Sequence, residues 1–171
     1  MPRKVKLSPH DPNWACLYQE EAGKLADFLS HEIIAIHHMG STAIPGIFAK
    51  PIIDILVVVT KIDRIDGYNH QMATLGYTQR GEHGIPGRRY FSKDTQGAQT
   101  HHVHIFQAGN PEIDRHLKFR DHLLLHSDDA QAYSQLKIDL AKIFPEDVDQ
   151  YTDAKSDFIR SIDEKIKSVG K

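Results

Sequence analysis

Residues 37–59, HHMGSTAIPGIFAKPIIDILVVV, contain the pattern that decides the fold. They are typical of a strand, a tight Gly40-Ser41 turn, a loop with proline and glycine, and a second strand. The second strand, residues 52–59, is rich in β-branched side chains, which predicts a buried central position in a sheet. Asp54 interrupts this apolar run, and a buried charge is costly unless it is paired, hydrogen-bonded or bound to metal. The backbone N–H groups and the hydroxyl of the turn are suited to binding an anion beside it.

Composition is that of an ordinary globular protein. The chain has 171 residues, 40% of them hydrophobic and 26% charged, which predicts one domain spanning residues 1–171. A net charge of −2 disfavours general nucleic-acid binding, for which a basic domain is expected. A single cysteine, Cys16, excludes an intrachain disulfide. No stretch approaches the roughly 18 consecutive apolar residues of a membrane span, and no signal-peptide core is present, so we expect a cytoplasmic protein without a membrane partner.

The hydrophobic periodicity predicts the order of the helices and strands. Asp11-Pro12 has the composition of a helix start, with Asp11 as N-cap and Pro12 at the first helical position. Strands are predicted at residues 33–39, 52–59, 77–79, 89–92 and 101–107, and further helices at 62–75, 111–125, from Asp128 or Asp129 to 144, and at 148–169. Mixed elements followed by helices predict an α+β fold, with an N-terminal helix and a C-terminal helical layer on the sheet.

Several of these segments together resemble the GrpB family of small bacterial proteins. The resemblance rests on GSTAIPG (40–46), AKPIIDI (49–55), PGRRYF (86–91), HVH (102–104), FRD (119–121) and YTDAK (151–155), and it extends from His10 to Lys155. The family resembles the nucleotidyltransferase-like superfamily. The resemblance therefore implies a nucleotidyltransferase-like mixed sheet, with a cleft at the Gly-Ser-Thr loop.

The acid in the second strand departs from the superfamily pattern. Nucleotidyl transfer generally uses two carboxylates two residues apart on one strand face, where they hold a pair of Mg²⁺ ions. Here the partner position of Asp54 is Leu56, which cannot bind a metal. Three roles for Asp54 remain open. It holds a single metal with help from elsewhere, it acts as a base or ligand anchor, or it forms a structural pair with Lys50 or an arginine.

A histidine pair supplies the second candidate set. In a strand, His102 and His104 lie on one face, where an HxH pattern replaces the third acid that the superfamily commonly has on a neighbouring strand. Two imidazoles with Asp54 suit Zn²⁺ better than Mg²⁺, which prefers oxygen ligands. The predicted metal ligands are Asp54, His102 and His104, and the predicted catalytic residues are Asp54 and His104. The alternative is that both histidines are hydrogen-bonded interior residues without a metal.

Positive side chains and the Gly-Ser-Thr loop form the third set. Arginine suits bidentate phosphate recognition, and lysine supplies a point charge. The predicted phosphate-binding residues are Gly40, Ser41, Thr42, Lys50, Arg88, Arg89, Arg120 and Lys155. The alternative for the charged members is solvated surface charge, which is the usual state of lysine and arginine.

Two functions follow from the resemblance and these residues. The first is an enzyme that transfers a nucleotidyl or phosphoryl group, with Ser41 and backbone amides binding phosphate. The second is a ligand-binding or accessory module on the same fold, with catalysis lost at Leu56. Both predict a nucleotide or another phosphorylated small molecule as ligand. The sequence leaves the oligomeric state and the retention of catalysis open, because a fold alone does not determine function.

Overall fold

Five helices and five strands make up residues 4–169, the part of the chain that the computed structural model describes. The helices are α1 (Asn13–Leu29), α2 (Asn69–Thr74), α3 (Pro111–Leu125), α4 (Ser127–Ile143) and α5 (Val148–Val169). The strands are β1 (Ile33–Met39), β2 (Ile53–Val59), β3 (Tyr77–Gln79), β4 (Arg88–Thr95) and β5 (Ala98–Gln107). This arrangement confirms the predicted α+β class.

The strands form one mixed sheet in the order β1-β2-β5-β4-β3. Strands β2 and β5 are parallel, and the other neighbours are antiparallel. A parallel pair needs a long crossover, which here includes α2, β3 and β4. Both faces of β2 are covered, because its side chains belong to two separate buried clusters, and this explains its nearly continuous apolar sequence.

The two faces of β2 contact different layers, because successive side chains of a strand point in opposite directions. Ile55 and Val57 belong to a buried cluster that includes Leu29 of α1. Leu56 lies on the opposite face, in a second buried cluster with Phe106 of β5. Asp54 shares the face of Leu56, so the acid lies on the side of the sheet away from α1.

The loop between β1 and β2 packs against the C-terminal helices. It contains a short 3-10 turn, Ser41–Ala43, and its apolar residues Ile44 and Ile47 join a buried cluster with Tyr133 of α4. The Phe48 amide donates a hydrogen bond of 2.9 Å to the hydroxyl of Ser134. These contacts place the Gly-Ser turn between the sheet and the helical layer.

The structure corrects several boundaries. The N-cap of α1 is Pro12, although the Asp11 carboxylate still accepts a hydrogen bond from the Asn13 amide at 2.9 Å. Residues 62–75 are a 3-10 segment, Ile62–Tyr68, followed by the short α2. Helix α4 begins at Ser127, and its two aspartates lie in the first turn, where negative charge is favourable, rather than at the cap. Strands β4 and β5 are longer than predicted, because their hairpin turn lies at residues 96–97.

No helix in the described range of 4–169 is both long enough and apolar enough to cross a bilayer.

Candidate functional site

Asp54 and two histidines form the centre of the site. In the parallel pairing of β2 with β5, Asp54 lies opposite His102, and Leu56 opposite His104. Oδ1 of Asp54 is 3.2 Å from Nε2 of His104 and 3.6 Å from Nδ1 of His102. The predicted proximity of the acid to the HxH pair is therefore observed, while the catalytic and ligand roles of these residues stay predictions.

Arg88 determines which nitrogen of His104 carries the proton. Nη1 of Arg88 lies 3.2 Å from Nδ1 of His104, and a guanidinium can only donate. Nδ1 is therefore the acceptor, and the ring proton is on Nε2, which donates to Asp54. The same guanidinium also donates to the carbonyls of Glu82 and His83, at 3.1 and 2.8 Å, and so holds that loop against the sheet.

These contacts determine the protonation states of Asp54 and His104. Burial alone would raise the pKa of Asp54, but the hydrogen bonds from His102 and His104 outweigh it and hold the pKa well below its usual range. Burial lowers the pKa of His104, although Asp54 acts in the opposite direction, and the Arg88 charge lowers it further. Near neutral pH the centre is a carboxylate that accepts a hydrogen bond from a neutral imidazole.

This arrangement predicts the effect of replacing Arg88. Arg88→Met is expected to raise the pKa of His104, because the neighbouring positive charge and the donor to Nδ1 are both removed. The matched control is Arg89→Met, whose guanidinium contacts Asp66 instead. An NMR titration of the histidine ring signals measures both variants. An unchanged His104 pKa in Arg88→Met would contradict the assignment.

Gly40 brings the loop against the acid. Its φ of +76° and ψ of −174° belong to a region that is essentially restricted to glycine. A Cβ atom at this position would lie 2.7 Å from Oδ2 of Asp54, so only glycine leaves room for the carboxylate here. The next residue, Ser41, hydrogen-bonds through its hydroxyl to Tyr133.

A cleft of about 170 Å³ opens between Asp54 and the C-terminal helices. Its lining residues are Ser41, Lys50, Ile52, Asp54, His102, Lys137, Tyr151 and Lys155. The ammonium groups of Lys50 and Lys155 each lie 5.1 Å from the centre of the Tyr151 ring, and that of Lys137 lies 4.7 Å from the Tyr133 ring. Three cations thus converge on one small cleft.

Burial and the repulsion between neighbouring ammonium groups lower the pKa values of two of these lysines. Burial, together with the charges of Lys155 and Lys50, lowers the pKa of Lys137 to about 7. Burial and the charge of Lys50 lower the pKa of Lys155 to about 8, although Asp54 acts in the opposite direction. Within residues 4–169, the buried Nζ of Lys137 and the hydroxyl of Tyr151 have no hydrogen-bond partner. Such groups are rare in folded proteins and call for an explanation.

Comparison with known proteins assigns the family. The family model described as GrpB protein matches residues 4–165. The chain belongs to the GrpB family. The UPF0157 protein YqkA of Bacillus subtilis is 45% identical over 165 residues, which cover 96% of this chain and 48% of YqkA. The chain therefore spans about half the length of that relative.

Solved structures agree with the family and the fold. GrpB from Enterococcus faecalis is 37% identical, with a TM-score of 0.92 over 97% of this chain and 100% of that one. Cid1, an RNA terminal uridylyl transferase, has a TM-score of 0.51 at 11% identity, over 76% of this chain and 39% of Cid1. At that identity the likeness shows the fold alone. The predicted nucleotidyltransferase-like architecture is thereby confirmed.

Five of the eight residues predicted for the phosphate site do not line the cleft of this GrpB protein. Gly40 is one of them, although it lies close to Asp54. Arg89 points to the other face of the sheet, where it pairs with Asp66 at 2.7 Å, because alternation along β4 separates it from Arg88. Arg88 is buried against His104. Arg120 donates to the His38 carbonyl at 3.0 Å. Thr42 is buried, and its hydroxyl lies 2.9 Å from Nε2 of His38.

Sequence reasoning missed Lys137, Tyr133 and Tyr151. Lys137 occupies the buried face of α4, at helical spacing from Ala130, Tyr133 and Leu140. A lysine on an apolar helical stripe was the available signal, because lysine is almost never fully buried without compensation. Tyr151 lies in the YTDAK segment that carried the family resemblance, but nothing in that segment distinguishes a cleft residue from a packed one.

The donor set does not fit a metal ion as it is placed. Both ring nitrogens of His104 are engaged, one by Arg88 and the other by Asp54. Among residues 4–169, no group of three or more histidine, cysteine or acidic side chains is arranged to hold a metal. A Mg²⁺ or Zn²⁺ ion at Asp54, His102 and His104 stays a prediction.

Proposed function

We propose that this GrpB protein binds the phosphate groups of a nucleotide or another phosphorylated small molecule in the cleft beside Asp54. The observation that supports this most directly is the convergence of Lys50, Lys137 and Lys155 on a cleft of about 170 Å³. An anionic ligand supplies the missing partner of the buried Lys137 ammonium group. Three ammonium groups favour a ligand with more than one negative charge.

The surroundings of the lysines support a phosphate over a simple carboxylate. The hydroxyls of Ser41 and Tyr151 and the three lysines line the cleft as potential hydrogen-bond donors, and the Tyr151 hydroxyl has no hydrogen-bond partner among residues 4–169. A phosphate group presents oxygens in a tetrahedral arrangement and accepts charge-assisted hydrogen bonds from such a set. The fold adds support, because a Cid1 structure with a TM-score of 0.52 contains the UTP analogue UMPNPP.

The second candidate function is nucleotidyl or phosphoryl transfer at the same cleft. The position of Asp54 favours it, because this acid lines the cleft and 28% of its side chain is exposed. Leu56 argues against a two-metal mechanism, since its side chain is fully buried in an apolar cluster. Metal-dependent transfer assays with the unmodified protein distinguish the two functions.

Thermal shift measurements test the binding function. At a ligand concentration of about 100 Kd, the fold is stabilised by about 2.7 kcal/mol, or about 5–11 °C in Tm for a domain of this size. We expect this shift with at least one member of a panel of nucleotides and phosphorylated metabolites. Lys155→Met is expected to weaken binding by about 10- to 150-fold, the equivalent of one charged hydrogen bond.

The matched control lies on the same helix. Lys165 of α5 contacts Asp129 rather than the cleft, so Lys165→Met is expected to bind as the wild type does. No shift with any phosphate compound across the panel would reject the proposal. An equal loss in both variants would show that the effect reflects overall charge and not the cleft.

A further inference from the structure

We propose that the cleft binds its phosphate ligand as the metal-free anion, with Lys50, Lys137 and Lys155 supplying the charge that Mg²⁺ commonly supplies to nucleotide phosphates. This inference rests on the proposed phosphate-binding function. It predicts that Mg²⁺ competes with the protein for the ligand. In a two-metal nucleotidyltransferase site the ion instead assists binding.

The surroundings of Asp54 oppose the entry of Mg²⁺. Oδ1 lies 3.2 and 3.6 Å from nitrogen atoms of two imidazole rings, and Oδ2 occupies space that a side chain at Gly40 would otherwise fill. Mg²⁺ requires near-octahedral coordination by oxygen atoms and binds through carboxylates, water and phosphate. The Nε2–H group of His104 donates to Oδ1, so this nitrogen has no lone pair to offer a metal ion. A Mg²⁺ ion at Oδ1 therefore gains no ligand from His104.

The strand position at which a second carboxylate would complete a two-metal site is fully buried. Leu56 lies two residues beyond Asp54 on the same strand face, with 0% of its surface exposed. It packs in a cluster with Met39, Val58 and Phe106. The face of β2 that would hold the second carboxylate is thus part of the apolar core, and neither water nor a cation has access to it.

The lysines already place positive charge where the metal would act. Like charges repel more strongly beside a protein than in bulk water, because the effective dielectric constant is lower there. A divalent ion added to a cleft with three ammonium groups meets such repulsion from each of them. A phosphate without a bound metal is instead attracted, because its full negative charge faces Lys50, Lys137 and Lys155.

Calorimetric titration with inorganic tripolyphosphate tests the inference, in EDTA and again with excess Mg²⁺. We expect binding in EDTA, and a Kd raised at least about tenfold by Mg²⁺, because the magnesium complex carries less negative charge. Inorganic phosphate, which binds Mg²⁺ weakly, serves as the matched probe and is expected to bind equally in both buffers. Mg²⁺ alone is expected to leave the Tm unchanged.

The possible results distinguish failure of this inference from failure of the proposed phosphate-binding function. Tripolyphosphate binding that requires Mg²⁺ would overturn the inference and leave the phosphate site intact. Stabilisation by Mg²⁺ alone that disappears in Asp54→Asn would also overturn it. Absence of binding in both buffers, together with no shift across the nucleotide panel, would reject the proposed function as well.

Discussion

Lys137→Met is expected to stabilise the free protein and, at the same time, to remove most of its affinity for phosphate compounds. The ammonium group of Lys137 is buried and has no hydrogen-bond partner in the described part of the chain, and methionine has a similar length without the charge. A buried donor that is left unsatisfied costs about 1–3 kcal/mol, and methionine introduces no such donor. Loss of a charged hydrogen bond to the ligand corresponds to a Kd raised by about 10- to 150-fold.

The pH dependence of the free energy of unfolding provides a second measurement for Lys137→Met. Because the native pKa of Lys137 is lowered from 10.5 to about 7, the unfolded chain binds more protons between these values. The free energy of unfolding of the wild type therefore gains a contribution that rises with pH across this window, and Lys137→Met lacks that contribution. Other titratable groups facing the cleft are Lys50, Lys155, Asp54, His102, Tyr133 and Tyr151.

Urea unfolding at several pH values, with ligand titrations, measures both effects. The control is Lys142→Met, an exposed lysine on the same helix, which is expected to change neither quantity appreciably. A Lys137→Met variant that is less stable and binds phosphate compounds normally would show that this lysine has a structural role. Stability and binding that change in opposite directions would identify a residue whose charge serves the ligand.

Gly40→Ala is expected to cause the largest loss of stability among the glycine substitutions near the site. The backbone conformation of Gly40 costs another residue about 1–3 kcal/mol. The added methyl would also lie 2.7 Å from Oδ2 of Asp54, so the carboxylate has to move away from His104. Urea unfolding measures the stability, and the His104 ring signals report the displaced acid.

Gly97→Ala separates the cost of backbone strain from the cost of the clash with Asp54. Gly97 has a φ of +82°, but nothing lies within 4 Å of the position of its Cβ. Its substitution therefore includes backbone strain without a clash. Equal losses in the two variants, with unchanged His104 signals in Gly40→Ala, would show that the contact with Asp54 has no influence on the site.

The strand pattern explains why the centre of the site could be predicted. Asp54, Leu56, His102 and His104 lie in two strands whose side chains alternate strictly, so the faces they share follow from spacing alone. The parallel register then places Asp54 beside His102. The same regularity exposes the departure from a two-metal site, because Leu56 stands where the second carboxylate belongs.

The same reasoning fails at Arg88 and Arg89. The pattern of β4 shows that neighbouring arginines point to opposite faces, but it does not show which face belongs to the cleft. That choice depends on the pairing of β4 with β5, which aligns Arg88 with Phe106 and Arg89 with Ile105. Both arginines are predicted phosphate ligands, and the structure places Arg89 beside Asp66, away from the acid.

The sequence by itself determined the helices, the strands, the family and the acid at the centre, because these depend on local periodicity and on motifs of a few residues. Only the tertiary structure brought Lys50, Lys137 and Lys155 together, from a loop and two helices separated by up to about a hundred positions. Local patterns contain no information on which helix faces meet across such distances. The cluster exists because packing of the C-terminal helices against the loop and the sheet places three distant lysines around one cleft.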